Sequence, residues 1–169
     1  LNDVPRFVIT GQPGTGKTTA RNLIALVLME LNILKSLPEI LYIKDPDDLK
    51  GTALGQTGQK MNDLMFAGKD KIIFFDEMAN MENLCKGDKF GKEVCSGMMN
   101  KFLDEKEYDM RKNKGNPAIV ILSGYPKIIQ MLRNPTEYEM NPGYDRRSKS
   151  DVMLHIELGV ISLKSLIID

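Results

Sequence analysis

The stretch that most constrains this chain lies at residues 7–19, where an apolar segment runs into a glycine-rich loop. The apolar segment predicts a strand, and the residues after the loop predict a helix. Apolar residues occur at helical spacing there: Leu23, Ile24, Val27, Leu28 and Leu31. Gly11, Gly16, Lys17 and Thr18 complete the pattern G-x-x-x-x-G-K-[ST], the P-loop. Such a loop turns successive backbone N–H groups toward one anion, so it predicts a nucleotide phosphate site.

The P-loop pattern also predicts individual roles. Lys17 would reach the β- and γ-phosphates, and the Thr18 hydroxyl would ligate Mg²⁺. The predicted nucleotide contacts are the loop and the first helical residues: Gly11, Gln12, Pro13, Gly14, Thr15, Gly16, Lys17, Thr18 and Thr19. A glycine turn that precedes a lysine by chance is the plain alternative. The strand before the loop and the helix after it argue against that alternative.

Composition restricts the remaining classes of function. Basic and acidic residues both number 23 in 169 residues, which disfavours a protein that coats nucleic acid, although a local basic patch stays open. No apolar run is long enough to span a bilayer, and no leader-like segment begins the chain, so we expect a cytoplasmic protein without a membrane partner. Cys85 and Cys95 lack metal-type spacing, and we expect buried or idle thiols in a reducing compartment.

The apolar pattern predicts an α/β fold with five strands, at residues 6–10, 40–43, 71–75, 118–122 and 152–157. Helices are predicted between the strands, at about 17–31, through Met61 and Met65, from Val94 to about Tyr108, and after Pro126. Residues 80–92 are polar and predict a mobile surface loop. The alternation of strands and helices predicts a three-layer sandwich, with a five-stranded parallel sheet between helices.

In such sheets the ligand lies at the carboxyl ends of the strands. The P-loop, Asp76 with Glu77, Ser123 and the loop at 133–150 should therefore converge. Asp76 would hold Mg²⁺ through water, and Glu77 would polarise the attacking water as a general base. Acidic strand ends are common by themselves, but here a P-loop accompanies the pair.

Several further segments have a recognisable form. They are Asp47-Asp48-Leu49-Lys50-Gly51 with Leu54-Gly55-Gln56-Thr57, Phe74-Phe75-Asp76-Glu77, Phe90-Gly91-Lys92-Glu93, Val120-Ile121-Leu122-Ser123-Gly124-Tyr125 and Asn141-Pro142-Gly143. Together with the P-loop, they resemble the AAA+ ATPases, and among these the CbbX/SpoVK-like branch that includes the red-type Rubisco activase. The resemblance covers nearly the whole chain in the same order.

This resemblance implies that residues 1–169 are the large α/β subdomain of a P-loop NTPase of the AAA+ type, cut from a longer chain. The helical lid and most of the segment before the first strand, which helps to hold adenine, would then be missing. The resemblance also implies ATP and Mg²⁺ as cofactors. Such proteins form rings, commonly hexamers, and couple hydrolysis to the remodelling of a protein client.

Three positions test that implication. The loop that grips a client in the family's central pore corresponds to Ala53, Leu54 and Gly55, so its aromatic residue is missing, and a plain surface loop is the alternative. Ser123 stands where a polar residue senses the γ-phosphate, although an ordinary turn would look the same. The arginine finger, which acts on the neighbouring subunit's site, falls on Arg147, with Arg146 next to it, in a segment that also reads as a solvated basic loop.

Other classes of protein stay open. An ATP-gated assembly scaffold with little turnover is favoured slightly by the missing pore aromatic. A small P-loop kinase is disfavoured by Asp76-Glu77 directly after a strand, and a nucleic-acid motor by the neutral charge. His155 lies in the last predicted strand, where we expect a packed or edge-strand residue rather than a catalyst.

Overall fold

The five strands form one parallel sheet in the computed structural model of the chain. The structure describes residues 6–34, 36–53, 55–76, 78, 81–98, 118–134 and 153–159. The strands are β1 (Arg6–Gly11), β2 (Ile40–Ile43), β3 (Ile72–Phe75), β4 (Ile119–Gly124) and β5 (Met153–Leu158). They lie in the order β2-β3-β4-β1-β5, and every neighbouring pair is parallel. The predicted α/β fold with a five-stranded parallel sheet is confirmed.

Helices cover both faces of this sheet. They are α1 (Lys17–Glu30), α2 (Gln56–Ala67), α3 (Met81–Lys86), α4 (Lys89–Gly97) and α5 (Lys127–Arg133), with a short 3-10 helix at Pro46–Leu49. Ile72 and Phe74 of β3 pack in the cluster that contains the buried residues of α1, whereas Ile73 and Phe75 pack in the cluster with the other helices. All four side chains are fully buried, as expected for a continuous apolar strand between two helical layers.

The prediction of a polar surface loop at residues 80–92 is wrong for the residues described there. Two short helices, α3 and α4, occupy most of this stretch. Met81 and Leu84 of α3 are buried, and so is Val94 of α4, while polar residues between them remain at the surface. The Asp88 side chain accepts a hydrogen bond from the Gly91 amide (2.8 Å) and so begins α4. Each helix is too short for its apolar side to be visible as a periodic pattern.

The expectation of two free thiols is also wrong, although both cysteines are buried. Cys85 of α3 and Cys95 of α4 form a disulfide, with their Cα atoms 5.5 Å apart. The two helices approach closely because residue 91 is glycine: a side chain there would collide with the backbone oxygen of Leu84. This contact also explains why a glycine stands in the Phe90-Gly91-Lys92-Glu93 segment.

The helix α1 buries less of its apolar surface than its sequence suggests. Ile24 and Leu28 are buried against the sheet. Leu23, Val27 and Leu31 lie on the outer side and are 57%, 54% and 63% exposed. The apolar residues at helical spacing therefore belong to two different sides of this helix.

Smaller differences concern boundaries. The helix α2 begins at Gln56, directly after the segment that corresponds to the pore loop, and β4 extends through Ser123 and Gly124. The later part of the helix predicted after Val94, the loop at 135–150 and residues 160–169 lie outside the described residues. None of the helices among the described residues has the length and apolar character needed to cross a bilayer.

Candidate functional site

The loop between β1 and α1 is closed on itself. The Thr15 hydroxyl donates to the Gln12 carbonyl (2.8 Å), and the Thr15 amide points to the same oxygen (3.3 Å). Gly14 and Gly16 have φ angles of 77° and 89°, in the left-handed region that residues with a side chain rarely adopt. Two of the glycines in the motif are thus required by the backbone itself.

Lys17 folds back over this loop. Its ammonium group donates to the carbonyl oxygens of Gly11 (2.9 Å) and Gln12 (3.1 Å). It also lies 5.5 Å from the centre of the Tyr125 ring. Within the described residues, no side chain caps the start of α1 and no acidic residue occupies its first turn. The positive end of this fourteen-residue helix is therefore not neutralised locally.

One pocket joins the P-loop to the ends of two further strands. It has a volume of about 360 Å³. The residues that line it are Pro13, Gly14, Gly16, Lys17, Thr18, Asp76, Gly124 and Tyr125. The P-loop, the end of β3 and the end of β4 do converge at the carboxyl edge of the sheet. Five other described residues that were predicted for the site do not line the pocket: Gly11, Gln12, Thr15, Thr19 and Ser123.

Asp76 is held from two sides. Its amide donates to the carbonyl of Ile43 at the end of β2 (2.9 Å), which fixes the backbone. Its carboxylate oxygen Oδ2 accepts a hydrogen bond from the Tyr42 hydroxyl. Neither Tyr42 nor Tyr125 has a role that the sequence predicts. No local sequence pattern indicates the Tyr42 contact, because the pairing of β2 with β3 is what sets Tyr42 opposite Phe74.

Ser123 lies next to Asp76 in the sheet. Phe75 pairs with Leu122, so the following residues, Asp76 and Ser123, occupy the next row. The Ser123 side chain is fully buried, and its Oγ has no hydrogen-bond partner among the described residues. A buried hydroxyl without a partner costs about 1–3 kcal/mol, so such a group marks a place where a ligand or a water can bind.

These groups fit a nucleotide with Mg²⁺. Thr18 and Asp76 offer the hydroxyl and carboxylate oxygens that Mg²⁺ prefers. Lys17 and the start of α1 offer positive charge to phosphate oxygens. Four predicted site residues lie outside the described part of the chain: Leu54, Glu77, Arg146 and Arg147.

The segment that corresponds to the pore loop is hydrogen-bonded to side chains at the start of α2. Gln56 Oε1 accepts from the amides of Thr52 (2.9 Å) and Ala53 (3.1 Å), and Thr57 Oγ1 accepts from the Gly51 amide (2.9 Å). These bonds give a structural reason for Gln56 and Thr57 in the recognised pattern. Gly51 has a steric reason, because a side chain there would collide with Gln56 and Thr57. Ala53 lies exposed at the tip.

His155 lies outside the pocket, on the edge strand β5. Its Nε2 is 2.8 Å from the Thr10 hydroxyl of β1. Burial lowers the pKa of His155 from its ordinary value, and the nearby positive charge of Arg133 lowers it further, while Glu157 acts in the opposite direction. The residue occupies an edge strand, as we expected.

The chain is similar in sequence to a known protein family over most of its length. The model of the family described as "ATPase family associated with various cellular activities (AAA)" matches residues 7–140. Stage V sporulation protein K of Bacillus subtilis (strain 168) is 31% identical over 83% of this chain and 38% of its own length. A CfxQ homologue of Galdieria sulphuraria is 27% identical over 85% of this chain and 42% of its own length.

The ESX-3 secretion system protein EccA3 of Mycolicibacterium smegmatis is 26% identical over 78% of this chain and 20% of its own length. The chain thus spans about two fifths of the length of the first two relatives. The family match covers the P-loop, Asp76 and β4, which together form the pocket. The chain belongs to the AAA family of ATPases, whose nucleotide is ATP with Mg²⁺.

Proposed function

We propose that this protein hydrolyses Mg-ATP within a ring of identical subunits and uses the energy to remodel a protein client. One observation carries the proposal: Lys17, Thr18 and Asp76 line a single pocket at the carboxyl edge of the sheet. An anion-binding loop, a cationic side chain and a carboxylate are the groups that phosphoryl transfer requires.

Each side chain in the pocket then has a defined task. Lys17 exchanges the neutral carbonyls of Gly11 and Gln12, its present partners, for phosphate oxygens, since charged acceptors form stronger hydrogen bonds. Thr18 and Asp76 hold the Mg²⁺ site. The bound Mg²⁺ supplies positive charge against the charge that develops on the phosphates.

Hydrolysis also requires an oriented water. We propose Glu77, which follows Asp76 in sequence, as the general base. Ser123 is proposed to donate its unpaired hydroxyl to the γ-phosphate or to that water, which would satisfy its buried Oγ. Arg147, or Arg146 beside it, would complete the site of the adjacent subunit.

The test uses purified full-length protein. Glu77→Gln should lower steady-state ATP turnover by about 100-fold or more, because general-base catalysis contributes that much. Nucleotide affinity should stay unchanged. Glu30→Gln, an exposed substitution at the end of α1, serves as the matched control. Unchanged turnover in Glu77→Gln would contradict the proposed chemistry.

Assembly is tested by mass photometry with and without ATP, which should show a ring, proposed to be a hexamer. Arg147→Ala should assemble but lose about 10³-fold in turnover, and Arg146→Ala should lose far less. The reverse result would move the arginine finger to Arg146. A monomer under all conditions would contradict an intersubunit site.

An ATP-gated scaffold remains the second candidate, because exposed Ala53 replaces the aromatic residue that grips a client. Leu54→Ala separates the two functions. It should slow client remodelling in a remodelling ATPase, whereas a scaffold should be indifferent to it. A phosphate-transfer assay with small acceptors tests the kinase alternative.

We further propose a cytoplasmic location. We also propose that the protein does not act directly on nucleic acid, since basic and acidic residues are equal in number. Disulfides are uncommon in a reducing cytoplasm. Thiol trapping of Cys85 and Cys95 in rapidly quenched cells therefore tests the location. A mostly oxidised pair would contradict it.

A further inference from the structure

Tyr42 contacts the carboxylate of Asp76, one of the residues that line the pocket. The sequence predicts no role for this tyrosine. Tyr42 lies on β2, the edge strand beside β3, and is the register partner of Phe74. Phe74 and Asp76 point to the same face, because side chains alternate along a strand. A tyrosine is long enough to reach the diagonal neighbour, and the Tyr42 hydroxyl donates to Asp76 Oδ2.

Tyr42 is 51% exposed, and its ring packs against one neighbouring aromatic residue. It stacks on Phe74 with a centroid separation of 5.6 Å and an interplanar angle of 29°. The Arg21 guanidinium of α1 lies 4.9 Å from the centre of the same Phe74 ring. Arg21, Phe74 and Tyr42 therefore form a packed series that leads from α1 to the carboxylate of Asp76.

We propose that Tyr42 is a positioning residue for the metal site: its hydroxyl holds the Asp76 carboxylate in the orientation that engages Mg²⁺. Carboxylates near metals are themselves held by hydrogen bonds, and loss of such a partner typically weakens metal binding by about 10- to 100-fold. The inference rests on the proposed role of Asp76 in the Mg²⁺ site. Tyr42 acts through Asp76 and has no contact of its own with the nucleotide in this proposal.

The experiment measures the binding of a fluorescent ATP analogue to purified full-length protein, once with Mg²⁺ and once with a chelator. We divide the dissociation constant in chelator by the dissociation constant with Mg²⁺. This ratio reports how strongly the metal site contributes to binding, independently of turnover. Tyr42→Phe keeps the ring and its stacking on Phe74 but removes the hydroxyl. It should lower this ratio about tenfold and leave binding in chelator unchanged.

A second background distinguishes positioning from a general structural effect. In Asp76→Asn protein, Tyr42→Phe should produce no further change in the ratio, because its target is already altered. Gln59→Leu is the matched control, since Gln59 donates to the Asp63 carboxylate (2.8 Å) on exposed α2, away from the pocket. The control should retain the wild-type ratio and unfolding temperature.

The outcomes separate this inference from the proposed function. If Asp76→Asn leaves the ratio unchanged, the role of Asp76 fails and the inference fails with it. If Asp76→Asn lowers the ratio but Tyr42→Phe keeps the wild-type value, the inference alone is wrong. A higher ratio in Tyr42→Phe would also overturn it, since the hydroxyl would then compete with the metal.

Discussion

The two faces of the sheet differ in how they are covered by the described residues. On one face α1 packs over β1, β3 and β4, and its outer residues Leu23, Val27 and Leu31 stay exposed. On the other face four helices enclose a larger apolar cluster, which includes the Cys85–Cys95 disulfide. We call these the α1 face and the four-helix face.

The residues proposed for the site lie on the α1 side of this division. The P-loop leads directly into α1, and Tyr42, Asp76 and Ser123 follow the strand rows that point toward α1. The four-helix face contributes buried volume instead, with several methionines that adapt to irregular space. In our proposal, the four-helix face therefore supplies stability and the α1 face supplies ligand binding.

The largest expected effect concerns buried volume. Met61→Ala, a fully buried residue of the four-helix face, should lower the free energy of unfolding by about 3 kcal/mol. Leu31→Ala, on the outer side of the α1 face, should change it by about 0.5 kcal/mol or less. Chemical denaturation measures both. Equal losses would contradict the division between the faces.

The disulfide should contribute somewhat less. Cys85 and Cys95 are ten residues apart, and the closure of so short a loop corresponds to about 2.7 kcal/mol in the chain-entropy account. The Cys85→Ala/Cys95→Ala double variant should lose this amount in denaturation without reductant, yet bind nucleotide as the wild type does. Weaker nucleotide binding in the variant would mean that the four-helix face also shapes the pocket.

Two glycines should respond with opposite signs. Gly16 has a left-handed φ of 89°, so Gly16→Ala should cost about 1 kcal/mol and weaken ATP binding. Gly58 lies in α2 with open space around it, and Gly58→Ala should stabilise the protein by about 0.5 kcal/mol. Thermal unfolding and nucleotide titration check both. A neutral Gly16→Ala would remove the backbone argument for this glycine.

The smallest effect concerns pH. The folded chain holds the pKa of His155 below its ordinary value, mainly through burial and then through Arg133. The unfolded chain therefore binds the proton first, and the free energy of unfolding falls as pH drops below about 6.5. His155→Gln should flatten this dependence between about pH 5 and pH 7. An identical slope in both proteins would contradict the assignment.

Sequence reasoning predicted the elements whose signal is local. The continuous apolar runs at β3 and β4 mark buried strands, and the P-loop contains its own turn chemistry in Gly14 and Gly16. Parallel order then follows from the alternation of strands and helices, and with it the edge at which the pocket forms.

Features that depend on how elements pack were not predictable. The helices α3 and α4 are short and largely polar, so their burial depends on the close contact at Gly91 and on the Cys85–Cys95 pair. The contact between Tyr42 and Asp76 requires β2 to lie beside β3, and no local pattern in the sequence specifies that neighbour. The exposure of the outer side of α1 was not predictable for the same reason.

The central claim is that the pocket at the carboxyl edge binds the phosphates of ATP. Equilibrium binding of Mg-ATP to Lys17→Ala tests it most directly, with Lys60→Ala as control because Lys60 also donates to backbone carbonyls, those of Asp48 and Lys50, but on α2. We predict at least about tenfold weaker binding for Lys17→Ala, the cost of one charged hydrogen bond, and wild-type affinity for Lys60→Ala. Wild-type affinity in Lys17→Ala would contradict the claim.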